Sequence, residues 1–427
     1  VSPTSIVYKM PSVSKISGAM EDLDLTGKET KTLKLSLRNL DDFPHDVNVK
    51  LILPRELKVD VDEKRIQALK EGTFVFDDPD INDLLKDSDV QRNLTFHAAI
   101  QPADVYIICV PTPIIEHKEI ADLSYLEKAV DSMCTVLKKG DLIIIESTTP
   151  TKTARENIIP AIKSRTGLVA GEDVYLAQCP ERILPGNIYH ELVNNDRIIG
   201  GITEQSTELA AKLYSRIVKG NLYKTDDITA EFCKLMENAY RDVNIAFANE
   251  MALLAENLGI DPQEAIRIAN KHPRVNILTP GIGVGGHCLP LDPWFLKEQD
   301  PLHTSIISTA RRVNDSMPFH VARKIRIELK ELCHPKIAVA GLAYKPNVND
   351  SRESPAFKIV SILREEGYTV EAFDPLVDEK SDKKLEDRVK GFDCLVVLVK
   401  HDVLMEDLAE NQERIKKSLN HPIIMIF

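Results

Sequence analysis

The sequence predicts an α/β protein: doubly wound parallel sheets in an N-terminal and a C-terminal domain, joined by a helical central domain. Three observations predict it. Unbroken apolar runs recur at ADVYIICV (103–110), DLIIIES (141–147) and DCLVVLV (393–399), and a run without alternation marks a strand buried on both faces. Helical stretches separate such runs at the spacing of βα units. Between the two α/β regions, residues 228–258 carry the apolar periodicity of one long helix.

The elements follow in order. Residues 1–58 form an atypical β-rich segment. In it KTLKLSLR (31–38) and DVNVKL (46–51) alternate apolar and polar at period two, like half-buried antiparallel strands, and NLDDFPHD reads as a turn. From Val59 the texture changes. VDVDEKRIQALKEG (59–72) reads as a strand end and a helix. The strand at 103–110, a helix near 123–138, the strand at 141–147, a helix from about Thr151, and strands at DVYLAQ (173–178) and DRIIGG (196–201) follow. A helix over 228–258 is about 46 Å long at ~1.5 Å per residue, more than one domain needs, so it is expected to link domains or pair with its own copy. Gly259 is placed to end it. Asp261 caps and Pro262 opens the next helix (261–270). TPGIGVGGHCLPLDP (279–293) is too rich in Gly and Pro to be helical, and 302–333 is helical again. KIAVAGLAY (336–344), a helix from about Ser354 to Glu366, YTVEAFDP (368–375) and DCLVVLV make the second α/β region.

Composition narrows the function. The 427 residues allow two to four domains at roughly 100–200 residues each. Asp+Glu 66 against Lys+Arg 54 gives a net charge of −12, which argues against a general nucleic-acid binder and leaves room for a local basic pocket. No apolar run approaches the ~18–20 residues of a membrane span. The first residues lack a signal-peptide pattern, so a cytoplasmic protein without membrane partners is expected. Seven cysteines (109, 134, 179, 233, 288, 333, 394) form no C-x-x-C pair, so neither a disulfide framework nor a metal site is expected. Six of them read as small buried apolar residues.

Cys288 reads differently. Gly281, Gly283, Gly285 and Gly286 precede it, His287 adjoins it and Asp292 follows four residues on. Glycines cluster where backbone must approach a ligand, and a thiolate is a nucleophile. The plainer reading is a loop with a buried cysteine. In AEFCKLMENAYRDVNIAFANE (230–250), Lys234, Asn238 and Arg241 form a polar stripe. An amide and a cation one turn apart can stabilise an oxyanion, though such stripes are usually solvated faces. In AQCPERILPGN (177–187), Glu181 follows a strand end, where a carboxylate can act on water or a hydroxyl; a surface salt bridge is the alternative. CVPTP (109–113) and ESTTPTKT (146–153) end apolar strands and suit either close approach of a dinucleotide or a helix cap. In GLAYKPNVNDSRESP (341–355), Lys345 and Arg352 are placed to grip phosphates, or are two exposed cations.

Together and in order, these five stretches resemble the UDP-glucose/GDP-mannose dehydrogenase family, from about Val59 to the end. The resemblance implies an incomplete NAD-binding domain at 59–200, a helical central domain at 201–330 that dimerises through the long helix, and a UDP-sugar-binding α/β domain at 331–427. It implies oxidation of a nucleotide sugar's C6 alcohol to the carboxylate with two NAD, within polysaccharide biosynthesis. GGHCLPLDPWF resembles the branch acting on UDP-N-acetylhexosamines, because the other branches usually carry a small residue at His287 and a lysine at Leu291. UDP-N-acetylmannosamine comes first, with UDP-N-acetylgalactosamine and UDP-N-acetylglucosamine as alternatives.

The resemblance also implies roles. Cys288 attacks the aldehyde; Lys234 and Asn238 stabilise the oxyanion; Asp292 tunes their surroundings; Glu181 handles water and protons; Thr148 positions water or nicotinamide. Asp60, Val110, Pro111, Thr112, Glu146, Thr148 and Arg352 bind the cofactor. Arg182, Arg274, Gly283, Gly285, Gly286, His287 and Lys345 bind the sugar nucleotide, Arg274 that of a neighbouring subunit. One departure stands out: the family opens with G-x-G-x-x-G roughly 25 residues before the ribose-binding acid, here Asp60, but no glycine lies between Gly27 and Gly72. Two further readings therefore stay open. One is a relative that binds the sugar nucleotide without turnover. The other is a two-electron dehydrogenase of the hydroxyacid or phosphogluconate type, which needs no thiol.

Overall fold

The structure, a computed structural model, describes residues 5–9, 48–52, 63–72, 79–88, 90, 94–97, 99–115, 118–183, 187–377 and 384–427. The strand expected at 31–38 and Asp60 lie outside the described residues. Two units, residues 1–235 and 236–427, divide within the long helix.

In the first unit the strands are β1 (Ser5–Lys9), β2 (Asn48–Ile52), β3 (Leu94–His97), β4 (Val105–Ile108), the short pair β5 (Ile114–Ile115) and β6 (Ile120–Ala121), β7 (Leu142–Ile145), β8 (Tyr175–Gln178), β9 (Arg197–Gly201) and β10 (Leu222–Asp226). Eight of them form one sheet in the order β10-β9-β8-β7-β4-β2-β1-β3. Every residue of β4 and β7 is buried, as the unbroken apolar runs require. Side chains alternate across the sheet. Val105, Ile107, Leu142 and Ile144 pack with Leu209, Ala210 and Leu213 of the helix Glu204–Tyr214. Tyr106, Ile108, Ile143 and Ile145 pack with Leu126, Val130 and Met133 of the helix Ser124–Cys134 and with Ile158 and Ile162. Both faces are thus covered, and the sheet is doubly wound around β4, β7 and β8, which are mutually parallel.

Three expectations are corrected. First, the described part of the stretch expected at 46–51 does not stand in a separate antiparallel piece: β2 runs parallel to β4 inside the main sheet, and only its partner β1 is antiparallel. Second, β9 pairs with β8 in antiparallel sense, through Ala177–Gly201 and Gln178–Gly200. An apolar run encodes burial and not direction; the connection sets direction, and among the described residues the one before β9 holds the seven-residue helix Ile188–Asn194. Third, residues 201–226, placed by sequence with the helical region, supply the helix Glu204–Tyr214 and β10 to the first unit's sheet. Gly200 and Gly201 are needed there. A Cβ on Gly200 would lie 2.5 Å from the Asp226 carbonyl oxygen, and one on Gly201 would lie 2.4 Å from the Thr207 nitrogen.

The long helix spans Asp227–Asn257, and Gly259 follows at φ +71°, the left-handed conformation that closes helices. In the second unit Asp261 caps the helix Pro262–Ala269 by accepting the Gln263 N–H. The helices Asp292–Gln299 and Ser305–Glu328 follow. A four-stranded sheet then runs β12 (Thr369–Phe373), β11 (Lys336–Ala340), β13 (Cys394–Val397), β14 (Ile423–Ile426), all parallel. The helix Pro355–Glu365 covers one face with Ile359, Val360 and Leu363, and the helix Asp402–Ser418 covers the other with Leu404, Leu408 and Ile415. Sequence reading missed that last helix and β14.

Candidate active site

Three loops leave the carboxyl ends of β4, β7 and β8, the edge where such sheets bind ligands. Hydrogen bonds tie them together. Ser147 Oγ donates to the Val110 carbonyl at 2.7 Å, Gln178 Nε2 to the Ser147 carbonyl at 2.9 Å, and the Glu181 N–H to the Glu146 carbonyl at 3.4 Å. Val110, Pro111 and Thr112, then Thr148, then Glu181 and Arg182 therefore stand on neighbouring loops of one strand edge. Arg182 reaches back through Nη1 to the Asp196 carbonyl at 3.3 Å.

Glu146 has another occupation than cofactor contact. Its carboxylate pairs with Arg197 at 3.0 Å and accepts the Tyr214 hydroxyl at 2.5 Å and the Cys109 thiol at 3.3 Å. Burial, reinforced by Glu146, pushes the Tyr214 hydroxyl and the Cys109 thiol well up. This cluster ties the ends of β4 and β7 to Arg197 of β9 and to Tyr214 of the helix Glu204–Tyr214.

The start of the long helix holds the loop after β7. Glu231 accepts the backbone N–H of Lys152 at 2.5 Å and of Ala154 at 3.0 Å, and Asp227 takes Arg155 through Nε at 2.9 Å and Nη2 at 2.8 Å. Burial lifts the Glu231 carboxyl to about 8, against the pull of those two N–H groups. Sequence reading passed over both acids. Their only signal was a pair of carboxylates at a helix start. Lys234 is only 8% exposed, so the solvated-face reading fails for it, while Arg241 on the same helix is exposed.

In the second unit, Cys288 enters the helix Asp292–Gln299. Its carbonyl accepts the N–H groups of Leu291 at 3.0 Å and Asp292 at 2.9 Å. Cys288 is partly buried, and Asp292 is buried at the helix's first position. Asn238 Nδ2 donates to Asp292 Oδ2 at 2.5 Å. Asn238, Asp292 and Cys288 are thus linked across 50 residues of sequence, with one amide hydrogen of Asn238 committed to Asp292. The default for the other cysteines is also corrected: Cys333 is exposed and Cys134 and Cys233 are half-buried.

The glycine run serves the chain's own packing as well as any ligand. A Cβ on Gly285 would lie 2.7 Å from the Glu353 carbonyl oxygen, and one on Gly283 would lie 3.0 Å from Pro355. Gly286 sits at φ +88° against the Tyr344 ring, and its N–H donates to the Arg352 carbonyl at 3.0 Å. The Cys288 loop and the loop carrying Lys345 and Arg352 are therefore stapled together. Arg352 pairs with Asp350 at 2.5 Å, and Lys345 Nζ lies 5.6 Å from the centre of the Tyr344 ring. His287 and Arg274 are exposed.

Sequence comparison decides the family. Residues 55–218 match the NAD binding domain of the UDP-glucose/GDP-mannose dehydrogenase family, 228–316 its central domain and 338–426 its UDP binding domain. The chain belongs to the UDP-glucose/GDP-mannose dehydrogenase family. It is 45% identical over 371 residues to a UDP-N-acetyl-D-mannosamine dehydrogenase of Methanocaldococcus jannaschii, covering 86% of this chain and 85% of that one. It is 43% identical over 312 residues to an NDP-N-acetyl-D-galactosaminuronic acid dehydrogenase of Ralstonia nicotianae, covering 71% and 73%. The solved UDP-D-ManNAc dehydrogenase of Pyrococcus horikoshii superposes with a TM-score of 0.80 at 41% identity, covering 87% of this chain and 90% of that one.

The family's NAD binding domain makes NAD the cofactor of this dehydrogenase. The strand edge fits it. Thr112 Oγ1, on the loop after β4, is buried and has no hydrogen-bond partner among the described residues, so it is open to a polar group of a bound ligand. Thr112 and its neighbours Val110 and Pro111 would hold the cofactor there.

Proposed function

We propose that this dehydrogenase oxidises the C6 alcohol of a UDP-N-acetylhexosamine, UDP-N-acetylmannosamine first, to the carboxylate, consuming two NAD per sugar. Bound NAD supplies the hydride acceptor. The chain's residues do the rest. Glu181 takes the proton as the alcohol becomes an aldehyde. The Cys288 thiol adds to that carbonyl, and Lys234 with the second amide hydrogen of Asn238 stabilises the oxygen that gains charge. Loss of a second hydride leaves a thioester on Cys288, and water splits it to carboxylate and thiol. Lys345 and Arg352 take the charged end of the nucleotide, and Arg182, Arg274, His287 and the glycines of 283–286 shape its surroundings. The link from Asn238 through the Asp292 carboxylate to the Cys288 turn carries this reading, because it joins the amide and the thiol that the two oxidations need.

The test is stoichiometry. Purified protein given UDP-N-acetylmannosamine and NAD should yield two NADH per carboxylate, faster than with the galacto or gluco epimer. One NADH per sugar with free aldehyde would sink the thioester route. A second reading rests on the absence of glycine between Gly27 and Gly72: a protein that binds the sugar nucleotide without turnover. Calorimetry separates them, since only the first reading expects NAD to bind.

We also propose a homodimer formed through the long helix. Phe232, Met236, Tyr240, Phe247 and Leu254 recur at spacings of four and seven along it, and each is at least 46% exposed. At about 100° per residue they share one face, and exposed apolar stripes of this kind mark interfaces. Light scattering should give twice the chain mass for the wild type and a monomer for Tyr240→Glu/Phe247→Glu. A monomeric wild type would remove the proposal. All seven cysteines are free thiols, which suits a reducing compartment such as the cytoplasm.

A further inference from the structure

The loop after β11 bears Lys345, and two buried side chains from the neighbouring strands hold it. Asp374 follows β12 and His401 follows β13, and the His401 ring is completely buried. Asp374 Oδ2 accepts the N–H groups of Leu342 at 2.5 Å and Ala343 at 2.9 Å, and Oδ1 accepts those of Leu376 at 2.8 Å and Val377 at 3.1 Å. Burial works to raise this carboxyl, but the bonds from His401 and the backbone bring it down to about 2.

The His401 ring faces two different partners. Nδ1 lies 2.9 Å from the backbone nitrogen of Asn347, and Nε2 lies 3.0 Å from Asp374 Oδ2. A backbone N–H can only donate and an ionised carboxylate can only accept. Nδ1 must therefore carry the lone pair and Nε2 the hydrogen, which fixes one neutral tautomer. Asn347 itself sits at φ +61°, with Nδ2 donating to Asp402 Oδ2 at 2.8 Å and Oδ1 accepting the Asp402 N–H at 2.9 Å. Lys345 is thus bracketed two residues away on each side: Ala343 is held by Asp374 and Asn347 by His401.

We infer that His401 is a positioning residue for the sugar-nucleotide site: its ring, locked between Asp374 and the Asn347 N–H, sets the backbone from which Lys345 reaches the nucleotide. This rests on the reading of Lys345 as a nucleotide ligand. A space-filling ring would do for packing alone. The inference instead requires an acceptor at the Nδ1 position, and two substitutions separate the cases. His401→Asn can place Oδ1 near that position. His401→Gln can reach Asp374 with Nε2 but offers Asn347 no acceptor.

The experiment is calorimetric titration with UDP alone. Loss of the acceptor in His401→Gln should weaken UDP binding about tenfold, the scale of one buried hydrogen bond, with NAD affinity unchanged. His401→Asn should recover most of that loss. In a Lys345→Ala background, His401→Gln should cost nothing further, because coupled residues are not additive. Equal UDP affinity in wild type and His401→Gln, or the same loss with and without Lys345, overturns the inference alone. Absence of UDP binding by the wild type removes the reading of Lys345 and the inference with it. Hydrogen exchange on the wild type tests the anchor however the variants fold: the Asn347 amide should be strongly protected, and fast exchange there overturns the proposal.

Discussion

Cys288→Ala should make no carboxylate, a loss of at least about a thousandfold, because no other group on the proposed route can hold the acyl intermediate. The turn should survive the change. Its hydrogen bonds run from the N–H groups of Leu291 and Asp292 to the Cys288 carbonyl, and the thiol takes no part in them. The link from Asn238 to Asp292 also needs nothing from the sulfur. Affinity for the UDP-sugar should therefore stay within about twofold of wild type, and the defect should lie in kcat. At most one NADH per sugar is expected, with aldehyde as the product. Full carboxylate production by Cys288→Ala would remove the thioester route, because the second two-electron oxidation would then run without the thiol.

The sequence carried the strands well because burial on both faces leaves a local mark. ADVYIICV and DLIIIES became β4 and β7 with every residue of each strand buried. The long helix, the Asp261 cap and Gly259 were legible for the same reason: caps and periodicity act within a few residues. Direction and partnership were not legible. Nothing in DRIIGG told that β9 would oppose β8, and nothing around Glu146 told that Arg197 and Tyr214, 51 and 68 residues away, would claim its carboxylate. The glycine run reads as room for a ligand, yet a Cβ on Gly285 would collide with Glu353 and Tyr344 of the chain itself. His401 passed unnoticed because its meaning lies in Asp374 and Asn347, on other strands and loops.

The largest stability effect is expected at Arg311, one of the largest fully buried side chains among the described residues. Its Nη1 donates to Asp242 Oδ1 at 2.6 Å, and its Nη2 donates to Asp315. Asp242 Oδ1 also accepts Asn314 Nδ2 at 2.8 Å; Asn314 Oδ1 accepts Asn249 Nδ2 at 2.9 Å; and Asn249 Oδ1 accepts the Gly281 N–H at 2.8 Å. One chain of donors and acceptors thus runs from a buried cation to the first glycine of the segment leading to Cys288. Burial raises the Asp242 carboxyl above the ordinary range despite Arg311 beside it, and Asp242 Oδ2 and Arg311 Nε have no hydrogen-bond partner among the described residues. The pair is therefore incompletely compensated, and removing one half should be severe. Arg311→Met keeps most of the volume but leaves Asp242 buried without its cation, which should cost about 3–5 kcal/mol in chemical denaturation. Arg311→Met/Asp242→Leu removes both charges, so its cost should fall well below that of Arg311→Met alone, since an apolar pair carries no desolvation penalty. The double variant takes the carboxylate acceptor from Asn314 Nδ2, which keeps its bond to the Asp242 backbone carbonyl at 3.1 Å, so the residual cost should be only about 1 kcal/mol. If Arg311→Met proved as stable as wild type, the role of Arg311 would be packing, and the anchoring of Gly281 would have to come from Asn249 alone.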